Sequence, residues 1–259
     1  MPLRSFASAL PEFSVAFQPI FDTRKGCIYA YEALVRGPQD GSAADVLNQL
    51  DGAQQRYHAD ACFRTRAMEL ACHLGLPRTG RLSLNFMPGS FQVHTDPIAD
   101  CLKTAATFGI SPGQLILEIT EDERVADYAA LRAARAVQRK YPFHLALDDF
   151  GAGYSGLSLL ADLVPEIVKI DMHIVRDVHL NATRHRLIQA ICDLCNALNI
   201  QVIAEGVETS NEFDSLCDLG IHIFQGYYFA RPAFEALPTA DVWCAPGTGH
   251  GLSFAAAAI

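Results

Sequence analysis

The residues in this chain best suited to chemistry are acidic, amide or basic side chains that end short apolar runs. Leu82-Ser83-Leu84 stops at Asn85, Leu115-Ile116-Leu117 at Glu118, and Leu145-Ala146-Leu147 at Asp148 and Asp149. Ile167-Val168 leads into Lys169 and Asp171, Val202-Ile203-Ala204 into Glu205, and Ile223-Phe224 into Gln225. Taken singly, each reads as a helix cap or a solvated turn: Glu121 can cap a helix, and Asp148-Asp149 before Gly151 can be an ordinary turn. Gathered at one end of a sheet, they crowd several carboxylates together, and the repulsion has to be relieved by protonation or by cations. Two readings follow, a metal centre and a metal-free acidic pocket. Oxygen donors from Glu32, Asn85, Glu118, Asp148, Asp149 and Glu205, with no His-x-x-x-His or cysteine set, favour Mg2+ or Mn2+ over zinc. Two such ions about 3.5–4 Å apart suit hydrolysis of a phosphodiester, with Asp148 as the natural bridging ligand. Lys169 beside this cluster either steadies a nucleophilic water and developing negative charge or serves as a structural ion-pair partner.

These residues need a scaffold that brings strand ends together. Short β-like runs alternate with longer amphipathic stretches, the pattern of an α/β fold with a mainly parallel sheet. The spacing predicts eight strands: Phe13–Phe21, Cys27–Val35, Arg81–Asn85, Leu115–Ile119, His144–Asp148, Ile167–Ile170, Gln201–Ala204 and His222–Gln225. It predicts helices over Asp60–Leu74, Pro97–Phe108, Asp127–Lys140, Thr183–Leu198 and Asn211–Leu219. The expected architecture is a TIM-like (β/α)8 barrel, in which the active site is built at the C-terminal ends of the strands. Only Asp22-Thr23-Arg24-Lys25-Gly26 joins the first two strands. That is too short for a crossover helix, so one strand near the N-terminus has to run antiparallel.

A chain of 259 residues, 50% hydrophobic and 19% charged, suffices for one barrel with a large core. The expected division is a tail over residues 1–12, one catalytic domain over 13–240, and a flexible, Gly- and Ala-rich tail over 241–259. A net charge of −9 argues against gripping long nucleic acids through many phosphates. No stretch approaches the roughly 20 apolar residues that span a bilayer, and the start lacks a signal-peptide pattern, so no membrane association is expected. The eight cysteines lack the dense spacing of a secreted disulfide framework, which points to reduced thiols and a cytoplasmic protein. Cys192-x-x-Cys195 lies in a helical stretch with no second pair, and reads as buried packing rather than a zinc site.

The ordered motifs resemble the EAL family of cyclic di-GMP phosphodiesterases from about Phe13 to Pro232. They are Phe17-Gln18-Pro19-Ile20, Glu32-Ala33-Leu34-Val35-Arg36, Asn85 with Pro88, Glu118-Ile119-Thr120-Glu121, Asp148 to Ser155, Lys169-Ile170-Asp171, Ala204 to Thr209, and Gln225-Gly226-Tyr227-Tyr228. The resemblance implies hydrolysis of cyclic di-GMP to linear pGpG with two Mg2+ or Mn2+ ions. It implies that Glu32, Asn85, Glu118 and Asp148 are metal ligands and that Asp149, Glu205 and Gln225 complete the site. Lys169 would then sit at the nucleophilic water, and Glu32, Lys169 and Glu205 would form the catalytic set. Gln18, Leu34, Arg36 and Asp171 would contact the ligand, and Arg36 has a surface ion pair as its ordinary alternative. Glu121 would tether the loop after Asp149, and that loop would act as a lid coupled to a homodimer. The chain departs from the family pattern at Gly156, where a second serine is common, and in Phe86-Met87-Pro88, where many members carry a serine two positions after the asparagine. Two other readings stay open: a non-catalytic cyclic di-GMP receptor signalling through a partner, and a barrel enzyme acting on another phosphate ester or a metal-bound enolate.

Overall fold

The structure is a computed structural model that describes residues 10–76, 80–87, 89–90, 96–120, 134–153 and 156–238. Among the described residues nine strands form one sheet: β1 (Ser14–Asp22), β2 (Cys27–Arg36), β3 (Leu82–Asn85), β4 (Leu115–Thr120), β5 (His144–Phe150), β6 (Ile167–Ile170), β7 (Gln201–Ala204), β8 (Ile223–Phe224) and β9 (Ala233–Phe234). From β2 to β8 each strand pairs in parallel with the next, and β1 closes the ring by pairing antiparallel with both β2 and β8. The expected eight-stranded barrel with one reversed strand is present. Its reversal begins in the turn after Asp22, whose carboxylate accepts from the Lys25 amide at 3.0 Å, and Gly26 completes the turn at a left-handed φ of 64°. The ninth strand was not expected. Its two residues carry no alternating pattern of their own and are strand only because Ala233 and Phe234 pair with Phe17 and Ala16 of β1.

Side chains on a strand alternate between faces, so residues two apart share one. Ile20, Ala30, Ile116, Ala146, Ile167, Ile203 and Ile223, drawn from seven different strands, pack into one buried cluster, which only the barrel interior can assemble. Two positions nearer the mouth, on those strands or directly after their last residue, come Gln18, Glu32, Glu118, Asp148, Lys169, Glu205 and Gln225. A polar layer therefore lies directly over an apolar plug. The opposite faces carry Leu82, Leu84, Leu115, Leu117, Leu145, Leu147 and Val168, which meet Met68, Ala71, Ile98, Leu102, Leu159 and Leu163 from the surrounding helices.

Helices at Pro97–Thr107, Ala182–Ala197 and Ser210–Asp218 lie within a residue of expectation. The helix expected from Asp60 starts eight residues earlier and runs over Gly52–His73. Its first two turns are polar and carry no apolar stripe to announce them. Of the helix expected over Asp127–Lys140, the described residues include 134–138 as helix. Short helices at Ala43–Leu47, Gly156–Leu163 and Met172–Val175 add to the expected set. Cys192 and Cys195 are buried, and burial pushes their thiols up to about 12 and about 11, so both stay protonated packing groups. The expected tails at 1–12 and 241–259 lie outside the described residues except for residues 10–12. No helix among the described residues is long and apolar enough to cross a membrane.

One buried carboxylate fixes the loop that leaves β7. Glu212 accepts from the amides of Asp177 at 3.0 Å, Glu208 at 2.9 Å and Thr209 at 3.0 Å, and thereby ties the β7 loop to the segment after β6. It closes a capping box with Thr209, whose hydroxyl accepts from the Glu212 amide. Burial favours the neutral acid, but the backbone donors outweigh it and hold the carboxyl below the usual glutamate range. Because the folded value lies below the unfolded one, the stabilisation is complete above the ordinary range near ~4.3 and is lost as pH falls through the folded value. Replacing Glu212 by Ala is expected to cost about 2–4 kcal/mol at neutral pH, and the deficit should shrink in acid. Urea denaturation at several pH values checks this, and a deficit independent of pH would contradict it.

Candidate metal centre

At the centre of the mouth stands Lys169, whose side chain is 1% exposed. Its Nζ lies 2.7 Å from Glu205 Oε1, 2.8 Å from Glu118 Oε1, 2.9 Å from Asp148 Oδ1 and 3.4 Å from Glu32 Oε2. Each partner comes from a different strand, so the cluster exists only in the closed barrel. Burial alone would strip the proton from Lys169, but the carboxylates outweigh it and hold its pKa well above the ordinary lysine value. The ammonium stays charged.

One cation does not balance so many acids. Burial raises Glu118 to about 8; Lys169 opposes the shift, while Glu32 and Asp148 add to it. Asp149 rises to about 6, through burial first and then the charge of Asp148. Glu205 is pushed well above its usual value, again chiefly by burial. The carboxylate oxygens form two groups, each within 4.8 Å: Glu32, Glu118 and Asp148 in one, and Asp148, Asp149 and Glu205 in the other. Asp148 belongs to both.

Adjacent residues on a regular strand face opposite ways, yet Asp148 and Asp149 share a group. The β5–β6 register shifts between Leu147 and Phe150, and Asp149 takes a left-handed φ of 53°. That bulge turns the second carboxylate into the mouth. The donor set also fits divalent cations in that Glu118 Oε2 and Gln225 Oε1 are buried without a hydrogen-bond partner. Such orphan oxygens are costly unless something electropositive meets them. The all-oxygen chemistry suits Mg2+ or Mn2+.

The remaining expected residues fall around this core. Asn85 ends β3 in register with Glu118. Gln225 donates to Glu32 Oε2 at 2.6 Å and to Gln18 Oε1 at 3.1 Å, and Gln18 donates in turn to the Ala230 carbonyl at 3.1 Å. Gln18, Asp171 and Gln225 line a cavity of about 250 Å³ with Glu32, Asp149, Glu205, Met172 and Tyr227. Asp171 caps the Met172–Val175 helix and meets His173 Nδ1 at 2.7 Å. Leu34 and Arg36 line a second cavity of about 270 Å³, together with Asn85 and Glu118. Arg36 Nε stands 3.5 Å from Asp40, the surface pair that its ordinary reading anticipates. Glu121, with Pro88, Tyr154 and Ser155, lies outside the described residues.

Sequence reasoning did not single out three buried polar residues beside this site, Glu212, Asp60 and Arg64. Glu212 was legible as the last member of a Thr-x-x-Glu capping box. Asp60 and Arg64 had no signal beyond their one-turn spacing on a helix. They are buried beneath Asn85.

Gly226 follows Gln225 at φ 155°, and a Cβ there would collide with the backbone of Val207. The β8 and β7 loops cross at this point through the Val207 amide to the Gln225 carbonyl at 3.1 Å and the Tyr228 amide to the Val207 carbonyl at 3.0 Å. Gly226→Ala is expected to destabilise the fold by about 2–5 kcal/mol, since a backbone atom has to move. Thermal unfolding followed by circular dichroism checks it, and an unchanged midpoint would show that the crossing relaxes freely.

The EAL domain family model matches residues 4–232. The cyclic di-GMP-bound form of a standalone versatile EAL protein from Vibrio cholerae O395 superposes with a TM-score of 0.82 at 40% identity, covering 88% of this chain and 95% of that one. BlrP1 of Klebsiella pneumoniae, in a manganese/cyclic di-GMP complex, gives a TM-score of 0.81 at 35% identity over 86% of this chain and 56% of that one. The blue light- and temperature-regulated antirepressor BluF of Escherichia coli is 33% identical over 225 residues, 86% of this chain and 55% of BluF. The chain spans about half the length of the curated relatives it matches. With its barrel, its reversed strand and its acidic mouth in place, this chain belongs to the EAL domain family.

Proposed function

We propose that this chain is a phosphodiesterase that hydrolyses cyclic di-GMP to linear pGpG, with residues 13–240 as the catalytic unit. The observation that carries the proposal is the pair of three-carboxylate groups sharing Asp148 around one buried ammonium. Glu32, Asn85, Glu118 and Asp148 would hold one Mg2+ or Mn2+, and Asp148, Asp149 and Glu205, with Gln225 nearby, a second. Bound there, the cations would supply an activated water and neutralise charge on the phosphodiester.

The chain's own groups have defined tasks beside them. Lys169 keeps its proton, so it acts as a fixed positive charge and a donor to the attacking water or to developing negative charge, not as a base. Glu32 and Glu205 hold Lys169 from two sides of the mouth. Gln18, Leu34, Arg36 and Asp171 line the flanking cavities and would orient the dinucleotide, with Arg36 exchanging Asp40 for a phosphate oxygen. A homodimer contact at Gly156–Leu163 is part of the proposal, because Leu157 on that helix is 68% exposed. Light scattering that finds only monomer at fully active concentrations would remove it.

The second reading is a cyclic di-GMP receptor, favoured by the four carboxylates already engaging Lys169 and by a relative named as an antirepressor. Chromatography of products after incubation with cyclic di-GMP in Mg2+, Mn2+ or chelator separates the two. Metal-dependent pGpG supports the enzyme, and binding without product supports the receptor. Lys169→Ala sharpens the test. It is expected to lower kcat by about 100-fold or more while calorimetric binding in Ca2+ persists. A wild-type rate in that variant would reduce Lys169 to an ion-pair partner.

A further inference from the structure

We infer that Asp60 and Arg64 are positioning residues that hold Asn85 at the metal centre, an inference that rests on the metal-binding reading above. They stand one turn apart on the Gly52–His73 helix, both nearly inaccessible, and form an ion pair between Arg64 Nη1 and Asp60 Oδ2. Apart from a contact between Arg64 and Cys101, the pair reaches out to the segment leaving β3. Arg64 Nη1 donates to the Asn85 carbonyl at 3.4 Å, and its guanidinium lies 4.7 Å from the centre of the Phe86 ring. Asp60 Oδ2 accepts from the Met87 amide at 3.4 Å and from the Ser90 hydroxyl at 3.2 Å. One turn earlier on the same helix, Tyr57 packs its ring so closely on Gly89 that a side chain there would collide with it.

Three successive turns of one helix thus contact Asn85, Phe86, Met87, Gly89 and Ser90, and among the described residues neither Asp60 nor Arg64 forms an ion pair with the clustered carboxylates. Of the expected metal ligands, Asn85 is the one whose residue is exposed, so the packing that locks the buried acids does not lock it. A buried ion pair is an expensive way to fill space. A well-packed apolar pair does that at least as well, whereas the fork of an arginine and the acceptors of an aspartate can hold a backbone segment at a set height. Partners of this kind behind a ligand typically govern metal affinity by about 10–100-fold.

The test uses the whole chain with the double variant Asp60→Leu/Arg64→Met, which replaces the pair by apolar side chains, and with Arg64→Lys, which keeps the charge but loses the fork. Two readouts are taken: Mn2+ binding by calorimetry, and amide hydrogen exchange over residues 85–90. The expected result for the double variant is a wild-type melting temperature, faster exchange confined to 85–90, and an Mn2+ Kd raised about 10-fold or more, with Arg64→Lys intermediate. An unchanged Mn2+ Kd in a folded variant overturns the inference, whatever the exchange shows. If the double variant does not fold, the same two measurements on Arg64→Lys decide the matter, and an unchanged Kd there overturns the inference equally. Wild-type protein that binds no Mn2+ would overturn the metal reading itself, and unchanged exchange over 85–90 would then overturn the clamp independently.

Discussion

Lys169 is a charged group with almost no access to water, and the rest of the mouth is arranged around that constraint. An ammonium buried alone would shed its proton, because desolvation disfavours the charged form. Here four strands each deliver a carboxylate oxygen within 3.4 Å of it, and the charge is retained. The arrangement is reciprocal. Glu118 and Glu205, too, sit where burial pushes them toward the neutral acid, and the lysine pulls them back. Removing any one member would leave the others exposed to repulsion or to unpaired burial, so the cluster tolerates little change.

The acids still outnumber the cation, and this excess is what a divalent cation bound at the mouth would neutralise. Upward shifts on Glu118, Asp149 and Glu205 record an electrostatic deficit that one ammonium leaves unfilled. A barrel can sustain such a deficit because its stability resides elsewhere: the apolar plug below the mouth and the leucine-rich layer outside the strands are complete without it. Stability and chemistry are separated along the same strands by a step of two residues. The loops that frame the mouth are then held by dedicated polar pins, Glu212 behind β7 and the Asp60–Arg64 pair behind β3.

How much of this was legible beforehand depended on whether a feature was local. The strands from β3 to β7 carried their own signals, apolar runs ending in a polar residue, and each was found to within two residues. The reversed strand was forced by five residues that cannot hold a crossover helix. By contrast, β9 has no pattern of its own and forms only against β1. The first turns of the Gly52–His73 helix are polar, so periodicity started late. Asp60 and Arg64 resembled any charged pair one turn apart on a helix surface. Nothing local says that such a pair is buried.

By itself the sequence determined the chemistry on offer, oxygen donors and one lysine at strand ends, and the alternation that must send them to a common face. It also determined the family, through ordered motifs too numerous to coincide. Tertiary structure decided which of those groups meet. Distances between strands depend on ring closure, and ring closure depends on contacts far apart in the chain, such as β1 with β8. The bulge at Asp149 is the clearest instance: neighbouring aspartates on an ideal strand would face apart, and only the shifted register with β6 and a left-handed backbone bring both carboxylates to one site. Charge states were likewise beyond the sequence, because a pKa is set by burial and neighbours, and both are properties of the folded barrel.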